Sequence, residues 1–380
     1  MAVHYDPEAG YLVTAFRLTN TVVPLVLSHL EFWAFFLLHL AVCWAFRNGY
    51  LEGANHPRSF LCLGWNEMKV IAAATTFFEV FYTNQCFSRY NSLYDLSRKM
   101  LGNLYDFAFE VRLHLRKSSQ SHVRLAARWF TASVILFFYE TNSDVSDREW
   151  AELLRQGLLK PDEKAFLENF HKHQRSLVLL QWSAEVCRDG CNSAKVPANA
   201  LKSLVDKLLK SRILEQAVVD TIELPMPFQY FHLLNMMVVV NLLLWAYGMG
   251  TSASLFAPVT FFFAALIFMG MLELAAALSD PFGDDEVDFP VVDWLNEFLE
   301  NTIVLLEFDC PITMEDRLQK ETPMRPGKRH LNLFVQENLS LGMDHSHAPA
   351  PKRLPDRLPG RHHHHHREDS GDDEDGDDSD

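Results

Sequence analysis

Cysteine is scarce in this sequence, with six residues in 380 (Cys43, Cys62, Cys86, Cys187, Cys191 and Cys310). They lie too far apart for the disulfide framework of a small secreted domain, so reduced thiols are the expectation. Cys187 and Cys191 stand one helical turn apart, but no histidine or cysteine follows at a zinc-site spacing. Positive charge is scarce at the amino end, where Met1 to Asn20 holds Arg17 against Asp6 and Glu8. This stretch therefore has neither the basic start of a secretory signal nor the arginine-rich, acid-poor character of a transit peptide, and targeting is expected to reside in membrane helices. A basic stripe interleaved with aromatics is also missing, and the formal net charge is −15. Phosphate backbones would be repelled, which excludes nucleic acid as a partner. No phosphate-binding loop, GxGxxG, HExxH or GxSxG occurs, so an enzyme reading has no positive support. Strand-like alternation is absent too.

What the sequence does have is apolar residues gathered into long runs. The first, Pro24 to Phe46, has the roughly 20 residues a helix needs to cross hydrocarbon. Glu31 and His39 inside it are costly unless they face protein or water. The second, Met68 to about Phe87, mixes aromatics and small residues with Thr75, Thr76, Glu79, Asn84 and Gln85, so part of its surface must face protein or a pore. Two more runs, Tyr230 to Gly248 and Leu255 to Leu278, are joined by the short GMGTSAS turn and form a helical hairpin. The spacing thus predicts an all-α membrane protein with four transmembrane helices, at about 24–46, 68–88, 230–248 and 255–279.

Between the second and third spans, Tyr90 to Glu223 carries charge at helical spacing. A cap-like Ser146-Asp147 and Lys160-Pro161 each stand before amphipathic stretches, which predicts consecutive cytosolic helices over 90–223, with another over 290–318. Val123 to Tyr139 is apolar enough for a fifth span. Arg124 and Arg128, and its modest length, predict a buried core helix instead. Residues 1–320 form the folded domain on this reading. From 321 to 380 the composition turns to Pro, His, Lys and Asp, with His362 to His366 in a run and nine carboxylates against one arginine from Arg367 to Asp380. That predicts a disordered tail, in which low-complexity sequence explains the histidine run as well as metal binding does.

Two stretches are more specific than hydropathy. Phe81-Tyr-Thr-Asn-Gln-Cys-Phe-Ser-Arg-Tyr90 resembles the second-helix signature of the bestrophin family, and Ser279-Asp-Pro-Phe-Gly-Asp-Asp-Glu-Val-Asp-Phe289 resembles the family's N/D-P-F-G motif with its acidic run. The resemblance runs from about Tyr5 to Pro311. It implies a homopentamer around one axial pore lined by the second span, with a cytosolic vestibule, conducting chloride and other small anions, bicarbonate included.

The resemblance also assigns residues. It places the membrane neck at Ala73, Phe77 and Phe81, whose four-residue spacing puts them on one helix face. Such an apolar ring gates by dewetting and width, and aromatic edges tolerate a passing anion. Without the signature, Phe77 and Phe81 would read as packing residues. Ala73 is smaller than the family's usual residue, and Glu79 with Val80 replaces small ones. A ring of Glu79 carboxylates in the pore would favour cations, but its position predicts that it faces a neighbouring helix, with Arg89 or a bound proton answering its burial. A second constriction is implied on a cytosolic helix at Pro197 or Ala198. The carboxylates Asp280, Asp284, Asp285, Glu286 and Asp288 suit calcium, a hard ion that takes six to eight oxygens. By the family pattern Asp285 and Asp288 donate side-chain oxygens, main-chain carbonyls come from about Ala277 and Asp280, and the neighbouring subunit contributes near Ala9 or Gly10.

The expectation is therefore a calcium-responsive, multi-pass anion channel with chloride as the permeant ion and partners limited to itself, membrane lipid and small anions. The plasma membrane is the expected home, with a thylakoid or other organelle membrane as the alternative. The rival readings are a cation-permeable relative and a non-conducting scaffold whose acidic loop recruits a partner.

Overall fold

A computed structural model of the protein describes residues 10–19, 21–55, 59, 61–115, 120–141, 143–224, 227–252, 254–283 and 287–307. All belong to one compact unit, Met1–Asp309. The expected tail at 321–380 lies outside the described residues, as do Ala9, Asp284, Asp285 and Glu286. Every described element is helical, and the five described cysteines are free thiols.

The helices are α1 (Tyr11–Ala15), α2 (Val22–Ser28), α3 (Leu30–Arg47), α4 (Trp65–Leu115), α5 (Gln120–Glu140), α6 (Asp147–Arg155), α7 (Pro161–Leu167), α8 (Gln174–Ala194), α9 (Ala198–Glu223), α10 (Phe228–Gly250), α11 (Ala257–Ser279) and α12 (Val291–Glu307), with a 3₁₀ turn at Glu52–Asn55. Three of them, α3, α10 and α11, are long and apolar enough to cross a membrane. The second expected span is the amino-terminal part of α4, a 51-residue helix. The boundary expected near Tyr90 does not exist, because the buried positions of α4 keep the helical period from Thr75 to Leu115 without a glycine or proline cluster to end it.

The first apolar run is divided where a single helix was expected. His29 is extended (φ −73°, ψ 130°) between α2 and α3. The break is stable because side chains take the released carbonyls: Ser28 Oγ donates to Leu25 O at 2.6 Å and Trp33 Nε1 donates to Leu27 O at 2.8 Å. His39, costly in a span, is fully buried against protein. Its Nδ1 lies 2.9 Å from Ala246 O, which as an acceptor assigns the proton to that nitrogen, and its ring stacks 4.5 Å from Phe261. Glu31 sits on the exposed side of α3, 3.8 Å from His29. Close approach of α3 and α10 requires Gly250, where a Cβ would lie 2.7 Å from Val42.

The core falls into separate clusters. One joins α2, α3, α10 and α11 around Phe32, Val238, Ala246 and Phe261. A second joins α4 to α10 and α11 through Tyr82, Cys86, Leu234 and Ala275. The largest fills an extramembrane body built from the rest of α4 with α5, α6, α8, α9 and α12. There α5 is buried along nearly its whole length, as a core helix and not a fifth span. Ser146 caps α6 with the reciprocal Glu149 bond, and Pro161 opens α7, both where the sequence placed helix starts.

Arg128, one of the two arginines that argued against a fifth span, pins α5 to α7. Its Nη1 and Nη2 donate to the two oxygens of Glu163 at 2.8 and 2.6 Å, and Trp129 Nε1 and the Lys160 N–H add bonds of 2.9 and 2.8 Å. Burial alone would raise the Glu163 carboxyl, but the bonds from Arg128, Lys160 and Trp129 outweigh it and hold it below the usual range. This contribution is present above the ordinary carboxylate range and is lost as pH falls through the depressed value. Glu163→Ala leaves a largely covered guanidinium without its carboxylate, holding only Leu158 O at 3.1 Å, so a loss of about 2–4 kcal/mol is expected in denaturant or thermal melts. A loss under about 1 kcal/mol, as for an exposed pair, would show that Arg128 finds water instead.

Candidate permeation path and acidic loop

Helix α4 has two unlike faces over its amino-terminal half. Met68, Thr75, Glu79, Tyr82 and Cys86 are buried on the side that faces α10 and α11, while Ala73, Phe77 and Phe81 are exposed on the other side, the phenylalanines by 66% and 48%. Two large apolar rings left uncovered on one subunit are expensive in water and mark a surface that meets something else. Down the same face follow Asn84, Ser88, Asn91, Ser92 and Asp95, lining an open polar cavity. Asp95 is paired with Lys99 at 3.1 Å.

Glu79 lies on the covered face, only 3% exposed, which agrees with the expectation that it faces neighbouring helices. Its expected partner does not serve it. Arg89 donates instead to main-chain carbonyls at the end of α9, through Nη2 to Ile222 O at 2.8 Å and Nη1 to Leu224 O at 3.2 Å. The reason is reach and charge: Arg89 is almost three turns below Glu79, beside the negative carboxyl end of a long helix.

Pro197 and Ala198 occur at the turn between α8 and α9, both exposed. Pro197 is the cap ahead of α9 and Ala198 its first residue, so the position expected within a helix is at a helix start. The turn is made by Lys195 in the left-handed region (φ 53°).

The acidic loop follows α11. Ala277 is in that helix's last turn and Asp280 caps it. The loop closes through Phe289 N–H to Pro281 O at 2.9 Å, and Tyr90 Oη of α4 donates to Val287 O at 3.0 Å. Tyr90 and Phe289 rings meet at 4.7 Å. Asp288 is buried (4% exposed). Gly283 is needed beside it, for a Cβ there would lie 2.8 Å from Asp288 Oδ2 and 3.9 Å from Asp280 O. Those two oxygens thus border one small space, and hard oxygen donors of this kind fit calcium. Burial, and next the Asp288 charge, push the Tyr90 phenol up. Among the described residues no three acidic, histidine or cysteine side chains converge on a point; Asp285 and Ala9 lie outside them, and Gly10, exposed ahead of α1, is far from complete as a donor set within one chain.

The anchors missed by sequence reasoning are Arg89 and Tyr90. They were part of the quoted signature, but nothing in their spacing points to partners more than 130 positions away.

Three long apolar helices, a 51-residue helix that packs on two of them and continues into the other large cluster, and an acidic loop docked on that helix make this a multi-pass integral membrane protein of helical build. The chain belongs to the bestrophin family: the family model for bacterial/fungal bestrophin protein matches residues 3–303. Bestrophins are oligomeric ion channels, which places the chain with channels and not with enzymes. Its fold is similar to crystal structures of a bacterial bestrophin homologue from Klebsiella pneumoniae. One variant of that protein is 18% identical, with a TM-score of 0.63 over 73% of this chain and 98% of that chain. A second variant is 16% identical, with a TM-score of 0.62 over 76% and 100%. A form phased with zinc is likewise 16% identical, at 0.62 over 72% and 97%. No curated protein matches the sequence.

Gly283→Ala tests the loop. The added Cβ displaces the Asp288 carboxylate, and a loss of about 1–3 kcal/mol is expected from such overpacking. An unchanged melting temperature would mean that the loop yields and that the small space has no fixed shape.

Proposed function

We propose that the chain is one subunit of a homopentameric, calcium-responsive anion channel that conducts chloride, with bicarbonate as a second permeant. The observation that carries this is the uncovered stripe Ala73, Phe77 and Phe81 on a helix whose opposite face is packed. Five such stripes around an axis make an apolar neck that excludes water when narrow and passes a partly dehydrated anion along aromatic edges. The polar face from Asn84 to Asp95 rehydrates the ion below the neck, and Pro197 with Ala198 makes a second small apolar ring. The burial of Glu79 supports anion over cation passage, since its carboxylate is kept off that face.

Calcium is read as the ligand of the acidic loop. Asp285 and Asp288 would hold it by side-chain oxygens, Ala277 and Asp280 by main-chain carbonyls, and the neighbouring subunit by the segment at Ala9 or Gly10. The ion supplies positive charge that relieves repulsion among the crowded carboxylates, Asp284 and Glu286 among them. The folded channel is read as residues 1–320, and 321–380 as a tail without a core of its own. The plasma membrane remains the proposed location, and an organelle membrane such as the thylakoid the alternative.

Replacing Phe77 and Phe81 together by alanine should widen and wet the neck, raising conductance or open probability in planar bilayers. A double variant that conducts like its parent would make these rings packing residues. Reversal potentials under a chloride gradient separate the anion reading from a cation-permeable one, and the absence of unitary current in any salt would favour a scaffold.

Micromolar calcium should raise the melting temperature of the parent by mass action and shift its activity. In the Asp285→Ala, Asp288→Ala variant both effects should vanish, while magnesium, with its tighter octahedral shell, substitutes poorly in the parent. A calcium response that survives in the variant would overturn the assignment of the loop.

A further inference from the structure

A cluster of ionisable side chains lies inside the extramembrane body, away from the exposed stripe of α4 and from the acidic loop. Glu140 closes α5 and is fully buried. Its Oε1 accepts from Arg175 Nη1 at 3.0 Å and its Oε2 from the His173 N–H at 2.6 Å. His173 adopts φ 65° to aim that N–H. Arg175 is engaged elsewhere: Nη1 also reaches Asp144 Oδ1 at 3.0 Å, Nε donates to Phe170 O at 3.1 Å, and the guanidinium lies 5.7 Å over the Trp150 ring. A second carboxyl, Glu215 of α9, is 4% exposed in the same interior. Among the described residues no cation pairs with it. Its Oε2 is 3.2 Å from Ser176 Oγ, and its Oε1 has no hydrogen-bond partner.

Hydrogen bookkeeping at Ser176 decides the state of Glu215. Ser176 Oγ is also 3.2 Å from His173 O, which can only accept. One hydroxyl carries one hydrogen, so Ser176 cannot donate both to that carbonyl and to an ionised Glu215. When Glu215 is protonated and donates to Ser176 Oγ, Ser176 can donate to His173 O, and the oxygen left without a partner, Oε1, belongs to a neutral carboxyl and not to a buried charge. The surrounding charges agree. Glu140 comes from α5, Asp144 from the turn after it, Lys172, His173 and Arg175 from the start of α8, and the exposed Arg212 and Glu223 from α9 itself. From α4, packed along α9, Arg89 holds the carbonyls of Ile222 and Leu224, and Asp106 and Glu110 lie beside Lys207. Burial pushes the Glu215 carboxyl up to about 8, with Ser176 lowering it, Glu140 raising it and Arg212 lowering it. Burial pushes the His173 imidazole down, and Lys172 adds to this, so His173 offers no countercharge near neutrality.

We propose that Glu215 is a proton-operated latch between α8 and α9: protonated, it closes their packing through Ser176; ionised, it admits water and loosens α9. The position of α9 gives the latch leverage. That helix starts at Pro197 and Ala198 and ends at the Ile222 and Leu224 carbonyls gripped by Arg89 of α4. Loosening it therefore disturbs the second constriction and the footing of the neck helix together, a step that rests on the channel reading above.

The test compares the full chain, purified in detergent, with Glu215→Gln, which mimics the protonated state. A group whose folded value is raised stabilises fully below its unfolded value and loses that contribution as pH rises through the folded value. The melting temperature of the wild type should therefore fall relative to Glu215→Gln between pH 6 and pH 9, and a gap that stays constant over that range overturns the latch. If Glu215→Gln does not fold, hydrogen exchange of wild-type α9, corrected for intrinsic pH dependence and referenced to α5, should lose protection several-fold at pH 9; undiminished protection overturns the proposal. In bilayers the ratio of wild-type currents at pH 9 and pH 6 should differ from one by several-fold, and that of Glu215→Gln should be close to one. A wild type silent in every salt defeats the channel reading alone and leaves the melting comparison to judge the latch.

Discussion

Burial of one continuous stripe of α4 is the constraint on which the other helices depend. Thr75, Glu79, Tyr82 and Cys86 face α10 and α11, and the same row continues as Leu93, Ser97, Met100, Leu104, Phe107, Val111 and Leu115 into the extramembrane body. In the half that packs on α10 and α11 the stripe carries hydroxyls and a carboxyl, which are expensive beside apolar helices unless enclosed by protein. Thr75 satisfies its hydroxyl on Ile71 O at 2.9 Å. In the other half the stripe is chiefly Leu, Met, Phe and Val, and Asn103 spends its amide on Lys207 O at 2.7 Å to align α9. Packing in the two surroundings thus follows different chemistry along one unbroken helix.

The second recurring device is an arginine of α4 placed at the carboxyl end of a neighbour. Arg89 takes the last carbonyls of α9, and Arg112 donates to Leu305 O in the last turn of α12. A helix end carries unsatisfied acceptors and partial negative charge, and a guanidinium answers both with several fixed donors. At α2 the same need is met by a serine and a tryptophan. These contacts explain how separate hydrophobic clusters are held in register without a single common core.

Helix positions were legible wherever a local rule applied. Ser146 with Glu149, Pro161, the hairpin of α10 and α11, and the arginines of α5 each announced their structure because partner and signal lie within a few residues or follow from length. The division at His29 was hidden, since its support comes from Ser28 and Trp33 side chains that look like ordinary span residues. The continuity of α4 was hidden because hydropathy changes at Tyr90 while backbone preference does not. At the candidate site, the face carrying Ala73, Phe77 and Phe81 was readable from spacing plus the family signature, and so was the turn of Glu79 away from it. The destination of Arg89 was not, because a guanidinium in sequence does not declare whether it will meet a carboxylate or a helix end. The cluster around Glu215 was invisible for the same reason: its members come from α5, α8 and α9 and share no spacing.

The continuity of α4 has a mechanical meaning. At 1.5 Å per residue its 51 residues extend roughly 75 Å, and its buried row keeps a period close to 3.6 from end to end. The two ends are therefore locked in phase, like the ends of a shaft. With no proline between Trp65 and Leu115, a roll of the far end is carried toward Phe77 and Phe81 along one unbroken ladder of hydrogen bonds. Torsion, more than translation, is the motion such a helix transmits, and it changes the angle at which Phe77 and Phe81 present their rings on the exposed face.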